Sequence, residues 1–213
     1  VNSLGFILII PEGTVDSSGK QFWNAVPGCC NWDGSSVDDA GYLVGLIEEA
    51  KSRYSVDPSR VALIGHSNGG YMSHRLACDR SDLITSIASI AGTSYGDMDT
   101  QCAAEHPVSV LQIHGTLDAT VSYYLPFAGV GAEETVAWWS ARNGCASPVV
   151  APPKAYDTMV WGDETQVTVA GGCESETMVG LWKMDGAGHI PLFSDDFIDD
   201  VLDVVLGSPR AAL

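Results

Sequence analysis

The chain is poor in positive charge. Its 213 residues carry ten Lys and Arg against 27 Asp and Glu, a formal net charge of −17. A field of that sign repels phosphate backbones, anionic headgroups and polyanionic substrates, so nucleic acid and membrane surfaces are poor partners and neutral substrates suit it better. Long apolar runs are missing too: none approaches the roughly 20 residues needed to cross a bilayer. No C-x-x-C pair is present, which removes a common zinc-binding spacing. Repeats, linkers and low-complexity tracts are absent, apart from a tail after Gly207 that reads as frayed. Residues 1–10 are apolar but lack a basic start and a small-residue cleavage site, and they run into Pro11-Glu12-Gly13. Residues 5–10 are therefore expected to form a strand rather than part of a signal peptide. The length fits one domain, residues 1–213, with a substantial core.

What is present centres on Gly65-His66-Ser67-Asn68-Gly69-Gly70, directly after the apolar run Val61-Ala62-Leu63-Ile64. A G-x-S-x-G turn between a strand and a helix presents a strained, exposed serine, which makes Ser67 the candidate nucleophile. Side chains at Gly65 and Gly69 are expected to collide across so sharp a turn. Residues 71–77 read as the helix that follows.

Two downstream segments supply a base and an acid in the chain order Ser, Asp, His. Residues 107–114 read as a buried strand ending in Gly115-Thr116-Leu117-Asp118, and residues 177–184 as another, followed by Asp185-Gly186-Ala187-Gly188-His189. Parallel strands deliver their C-terminal ends to one sheet edge, so Ser67, Asp118 and His189 are expected to converge there. Rival bases are His66, His74, His106 and His114. Asp97 and Asp99 are rival acids. The backbone N–H of Asn68, the residue after the nucleophile, is the expected oxyanion donor.

The six cysteines suggest disulfides and an oxidising compartment. Cys78, near the end of the helix leaving the elbow, and Cys102, just before the strand at 107, fall on one sheet edge and form a plausible pair. Cys145 and Cys173 flank an insert at residues 151–172 with little core patterning and form another. Cys29 and Cys30 are left as a vicinal pair, or one of them bonds elsewhere. Ser36-Val37-Asp38-Asp39 is an N-terminal capping pattern, with Ala40, Leu43, Val44, Ile47, Ala50 and Tyr54 as the apolar face of the helix it opens. Residues 133–142 form a helix carrying Trp138 and Trp139. Residues 195–206 form the last, capped by Ser194, with Phe193 stapled to Ile198 and with Phe197, Val201, Leu202 and Val205 facing the core. Its acidic face is a solvated surface rather than a calcium site. The sequence calls for no cofactor and no metal.

Strands alternating with helices give an α/β class with a mostly parallel sheet. The chain resembles the secreted α/β-hydrolases that include feruloyl esterases, acetylxylan esterases and polyhydroxybutyrate depolymerase-like enzymes. The matching pieces are residues 5–13, Trp23-Asn24-Ala25 with Cys29-Cys30, Val37-Asp38-Asp39, residues 65–70, His114-Gly115-Thr116-Leu117-Asp118, Arg142-Asn143-Gly144-Cys145 and Gly188-His189. The resemblance implies a secreted or extracytoplasmic serine esterase acting on feruloyl, acetyl or hydroxyalkanoate esters, small or polymeric. One departure is Ile190 alone before Pro191, where the family commonly carries a tryptophan. The substrate pocket is expected in loops around Trp23, residues 123–127 and Trp161. A serine peptidase of the prolyl oligopeptidase type and a noncatalytic hydrolase domain are the alternatives.

The resemblance also implies a gap. In the family a second oxyanion donor follows a strand upstream of the one matching residues 5–10, and this chain begins roughly at the family's fourth strand. The missing third strand would lie between residues 5–10 and residues 61–64. Three ways of filling the gap are expected: residues 5–10 pair directly with residues 61–64, a second copy of the chain supplies a strand in a homo-oligomer, or the natural protein has a further N-terminal segment.

Overall fold

The computed structural model describes residues 5–207; the tail after Gly207 lies outside them. A small antiparallel ribbon, β1 (Thr14–Val15) with β2 (Gln21–Phe22), precedes helix α1 (Asp39–Arg53). The main units then alternate: β3 (Ala62–His66), α2 (Asn68–Asp79), β4 (Ser86–Ile90), the short α3 (Met98–Gln101), β5 (Ser109–Gly115), α4 (Ala132–Arg142), β6 (Val149–Val150), β7 (Thr165–Ala170), β8 (Val179–Met184) and α5 (Asp196–Gly207). Six of these strands form one sheet in the order β3-β4-β5-β8-β7-β6, with β3, β4, β5 and β8 parallel and β7 and β6 antiparallel. Parallel strands buried on both faces need continuous apolar or neutral runs, and every residue of β4 and β5 is buried.

Side chains alternate across the sheet. Along β5, Val110 joins the cluster that includes Tyr71, Leu76, Ile87 and Trp139, while Leu111 and Ile113 join Trp182, Met184, Phe197, Val201 and Val205. Helices α2 and α4 cover the first face and α5 the second. No described helix is long and apolar enough to cross a membrane.

Four expectations change here. Residues 5–10 are not a strand; Ile7, Leu8, Ile9 and Ile10 are exposed, and among the described residues β3 pairs with β4 alone. Direct pairing of residues 5–10 with residues 61–64 is thereby excluded. Residues 165–170, inside the expected insert, are the strand β7, whose mixed Thr-Gln-Val-Thr-Val-Ala pattern suits a partly exposed antiparallel position. Phe193 stacks on Phe197, at 3.7 Å between ring centroids, whereas Ile198 is exposed and Leu202 only half-buried. Tyr54 is exposed, outside the apolar face of α1.

The caps follow the chemistry of their residues. Asp38 caps α1 by accepting from the Gly41 N–H at 2.9 Å. Asp39 turns inward, nearly fully buried, and accepts from the Asn24 N–H at 2.6 Å, which ties the loop after β2 to the helix. The cysteines are bonded Cys29–Cys30, Cys78–Cys102 and Cys145–Cys173.

Candidate active site

The elbow is built from backbone that passes too closely for side chains. A Cβ on Gly65 would sit 2.1 Å from the Gly69 carbonyl oxygen, and one on Gly70 would sit 2.6 Å from Ser89 Oγ. Gly69 itself has open space, so the close approaches belong to Gly65 and Gly70 rather than to Gly65 and Gly69. Ser67 holds φ at 54°, a left-handed conformation uncommon for a serine. Its N–H donates to Ile90 O at 2.7 Å and its carbonyl accepts from the Tyr71 N–H at 3.1 Å, so the strained residue is tied at both ends.

The other two groups arrive from neighbouring strands. Asp118 follows the end of β5, and a Cβ on Gly115 would lie 2.4 Å from Ala187 O and 2.6 Å from Gly188 O. The missing side chain at Gly115 thus lets the loop after β8 close over the end of β5, bringing His189 to Asp118. His189 Nδ1 is 2.7 Å from Asp118 Oδ2 and His189 Nε2 is 2.9 Å from Ser67 Oγ. Asp118 Oδ1 accepts from the N–H groups of Thr120 and Val121, both at 2.8 Å. Burial raises the Asp118 carboxyl, but donors from His114, His189, Val121 and Thr120 outweigh it and hold the group down at about 2. The carboxylate is therefore ionised throughout the neutral range. Ser67, with His189 against its hydroxyl and a carboxylate behind the imidazole, has the arrangement that makes a serine nucleophilic.

Asn68 opens α2, so its backbone N–H has no carbonyl of the preceding helical turn to bond. Its side chain is spoken for: Oδ1 accepts from the Trp23 N–H at 2.5 Å and Nδ2 donates to Trp23 O at 2.9 Å. That pair fastens the loop after β2 to the elbow.

The rival groups have other work. Asp97 caps α3, accepting from the Thr100 N–H at 3.3 Å, and Asp99 accepts from Trp138 Nε1 at 2.7 Å. His74 is fully buried in α2, and burial drives its imidazole down to about 4 although Gln112 opposes that shift. The His106 N–H donates to Ser81 Oγ, before β5 begins. His66 and His114 do touch the site, as its neighbours. His66 Nε2 donates to the His189 carbonyl oxygen at 2.8 Å, and the two rings lie 4.9 Å apart. His114 Nε2 lies 3.3 Å from Asp118 Oδ2. The one sequence signal for the latter was a pair of polar residues, Gln112 and His114, at alternating positions of a largely apolar strand.

Among the described residues no group of three or more His, Cys, Asp or Glu side chains is arranged to hold a metal ion. A groove of about 510 Å³ between the loop at residues 24–32 and the side chains of Arg75, Asp79 and Tyr95 excludes all three candidate catalytic residues. Exposed apolar side chains adjoin the acid and the base in the chain, Leu117 beside Asp118 and Ile190 beside His189, and the carbonyl of the exposed Leu192 accepts two hydrogen bonds from Thr158, next to the exposed Met159. Of the expected pocket residues, Tyr123 is buried against His114, while Tyr124, Leu125, Phe127 and Trp161 are exposed.

A mostly parallel sheet with a serine elbow after β3, an acid after β5 and a histidine after β8 is the α/β-hydrolase fold. The sequence relatives lie among esterases. Residues 1–101 match the model of the prolyl oligopeptidase family. Feruloyl esterase B of Piromyces equi is 28% identical over 87% of this chain and 34% of its own length. Poly(3-hydroxyalkanoate) depolymerase C of Paucimonas lemoignei is 25% identical over 98% of this chain and 43% of its own. The chain thus spans less than half the length of these curated relatives. An acetyl xylan esterase from Aspergillus awamori superposes with a TM-score of 0.57 at 15% identity, over 79% of this chain and 67% of that one, a likeness of fold.

Proposed function

We propose that the chain hydrolyses carboxylic esters through an acyl-enzyme on Ser67, with His189 as base and Asp118 as its orienting acid. The observation that carries this reading is the unbroken relay from Ser67 Oγ to His189 Nε2 at 2.9 Å and from His189 Nδ1 to Asp118 Oδ2 at 2.7 Å. In this mechanism His189 Nε2 takes the Ser67 proton as Oγ attacks the ester carbonyl carbon. The charge that develops on the carbonyl oxygen is met by the Asn68 N–H. Collapse breaks the bond to the alcohol, which leaves with the proton held by His189. Water, deprotonated by the same imidazole, then attacks the acyl carbonyl and releases the acid and Ser67.

Feruloyl, acetyl and hydroxyalkanoate esters are the proposed substrates, on the strength of the relatives named above, and three disulfides support an extracytoplasmic site of action. The match of residues 1–101 to the prolyl oligopeptidase family favours a peptidase as the second reading. Hydrolysis of methyl ferulate, p-nitrophenyl acetate, a 3-hydroxybutyrate oligomer and a dipeptidyl anilide by the purified chain separates the two. Turnover of the esters alone is expected; turnover of the anilide alone would overturn the esterase reading.

A further inference from the structure

A second set of buried polar groups runs from the interior of the domain to the candidate triad, and its members have few choices about where their protons lie. Trp139 Nε1 can only donate, and it lies 3.2 Å from His74 Nδ1. His74 Nδ1 is therefore bare and the His74 proton is on Nε2, which donates to Gln112 Oε1 at 3.0 Å. The Gln112 amide cannot be reversed, because its nitrogen faces the Gly92 carbonyl oxygen at 2.7 Å, a group that only accepts. The same nitrogen lies 3.3 Å from His114 Nδ1, which must accept, leaving the His114 proton on Nε2. That proton goes to Val121 O at 2.8 Å, with Asp118 Oδ2 lying 3.3 Å from the same nitrogen, both pure acceptors. Donor-only and acceptor-only groups at the two ends thus assign one direction to every bond between them.

We propose that His114 is a positioning residue for the Asp118–His189 pair, held in its Nε2–H tautomer by the buried chain Trp139, His74, Gln112. The proposal rests on the triad reading given above. His114 is no rival base, since its Nε2 meets Val121 and Asp118. Its place is on the same carboxylate oxygen that receives His189, while Thr120 and Val121 hold the other oxygen. Three hydrogen bonds fix the plane of the carboxylate, and the His114 Nε2–H beside Oδ2 draws off part of the charge offered to His189. A carboxylate relieved of that donor would attract the imidazolium more strongly and hold the ring less firmly. Besides the carboxylate, the titratable groups facing this region are His66, on the His189 carbonyl; Tyr71, whose hydroxyl donates to Ala128 O; and Tyr123, edge-on to His114 with Lys183 over its ring. None of them donates to Asp118.

The experiment compares His114→Leu, which removes the donor, with His114→Gln, whose amide nitrogen reaches the same place. For His114→Leu, kcat is expected to fall about tenfold with KM little changed, and the acid limb of kcat/KM is expected to move up by about half a pH unit. His114→Gln is expected to restore most of both. A fall in kcat with an unmoved acid limb and no rescue by glutamine would mean a merely structural role and overturn the proposal, as would wild-type kinetics in His114→Leu. Nitrogen-15 NMR of the wild-type chain gives an arm independent of turnover. His74 and His114 are both expected as Nε2–H tautomers, and the downfield Nδ1–H resonance of His189 is expected to move in His114→Leu. A His189 resonance indifferent to that substitution overturns the positioning role while leaving the triad intact. Ester turnover by Ser67→Ala would instead remove the triad reading itself.

Discussion

At the scale of single residues, Ser67, Asp118 and His189 were legible because each sits where a strand ends, and a parallel sheet sends those ends to one edge. Ser67→Ala is expected to lower ester turnover by about 10³-fold or more while leaving the far-ultraviolet circular dichroism unchanged. A serine-directed phosphonate should label Ser67 alone. Asp118→Asn is expected to cost on the order of 10⁴-fold in kcat, since an amide in that place favours the wrong tautomer of His189. Asp97→Asn and Asp99→Asn, which touch a helix cap and Trp138, should leave turnover near the parent value. The roles of His66, His114 and the Asn68 side chain were not legible. Each depends on a partner 123, 4 and 45 positions away that only folding supplies.

At the scale of elements, long periodic segments were read correctly and short or mixed ones were not. Helices α1, α2, α4 and α5 and strands β3, β5 and β8 fall within a few residues of expectation because their apolar spacing states their period. Strand β7 was missed: its polar Thr and Gln residues mask a six-residue antiparallel position beside β8. Residues 5–10 were misread for the opposite reason, since an apolar run implies burial only where a partner strand is present. Gly115 gives the element-scale test. A methyl group there would meet Ala187 O and Gly188 O, so Gly115→Ala is expected to push the His189 loop away and depress kcat well beyond its effect on thermal stability. Reduction of Cys145–Cys173, which closes a loop of 28 positions, is expected to cost roughly 2 to 4 kcal/mol, measured by denaturant unfolding of the double Cys→Ala variant.

At the scale of the whole molecule, two buried groups contribute to the response to acid. The His74 imidazole falls from 6.5 to about 4 on folding, so the unfolded chain binds the extra proton first; its contribution is fully present above about pH 6.5 and is lost as pH falls toward 4. That single group is worth about 3 kcal/mol across the window. Asp118, lowered from 3.8 to about 2, adds a second loss between those values. Urea midpoints are therefore expected to drop between pH 6.5 and 4, and the drop should shrink in His74→Gln. The edge of the sheet gives a separate expectation. Strand β3 has one neighbour among the described residues, and Ile64 on it is 41% exposed. Such an edge invites pairing between chains, so sedimentation is expected to show self-association that Ile64→Lys weakens.

The sequence by itself determined the candidate site: a serine on a strained elbow, an acid and a histidine in the order the fold uses, a strongly acidic composition and cysteines spaced for two long-range bonds. These are properties of residue type and of local period, and a linear chain carries both. Tertiary structure alone decided that Gly70 rather than Gly69 permits the close approach at the elbow, and that β3 stands at an edge among the described residues. It also decided that Trp139, His74, Gln112 and His114 join into one directed chain ending beside Asp118. The physical reason is that a hydrogen bond or a close contact depends on distances of a few tenths of an ångström between residues far apart in sequence, and those distances exist only once the sheet and its helices have packed.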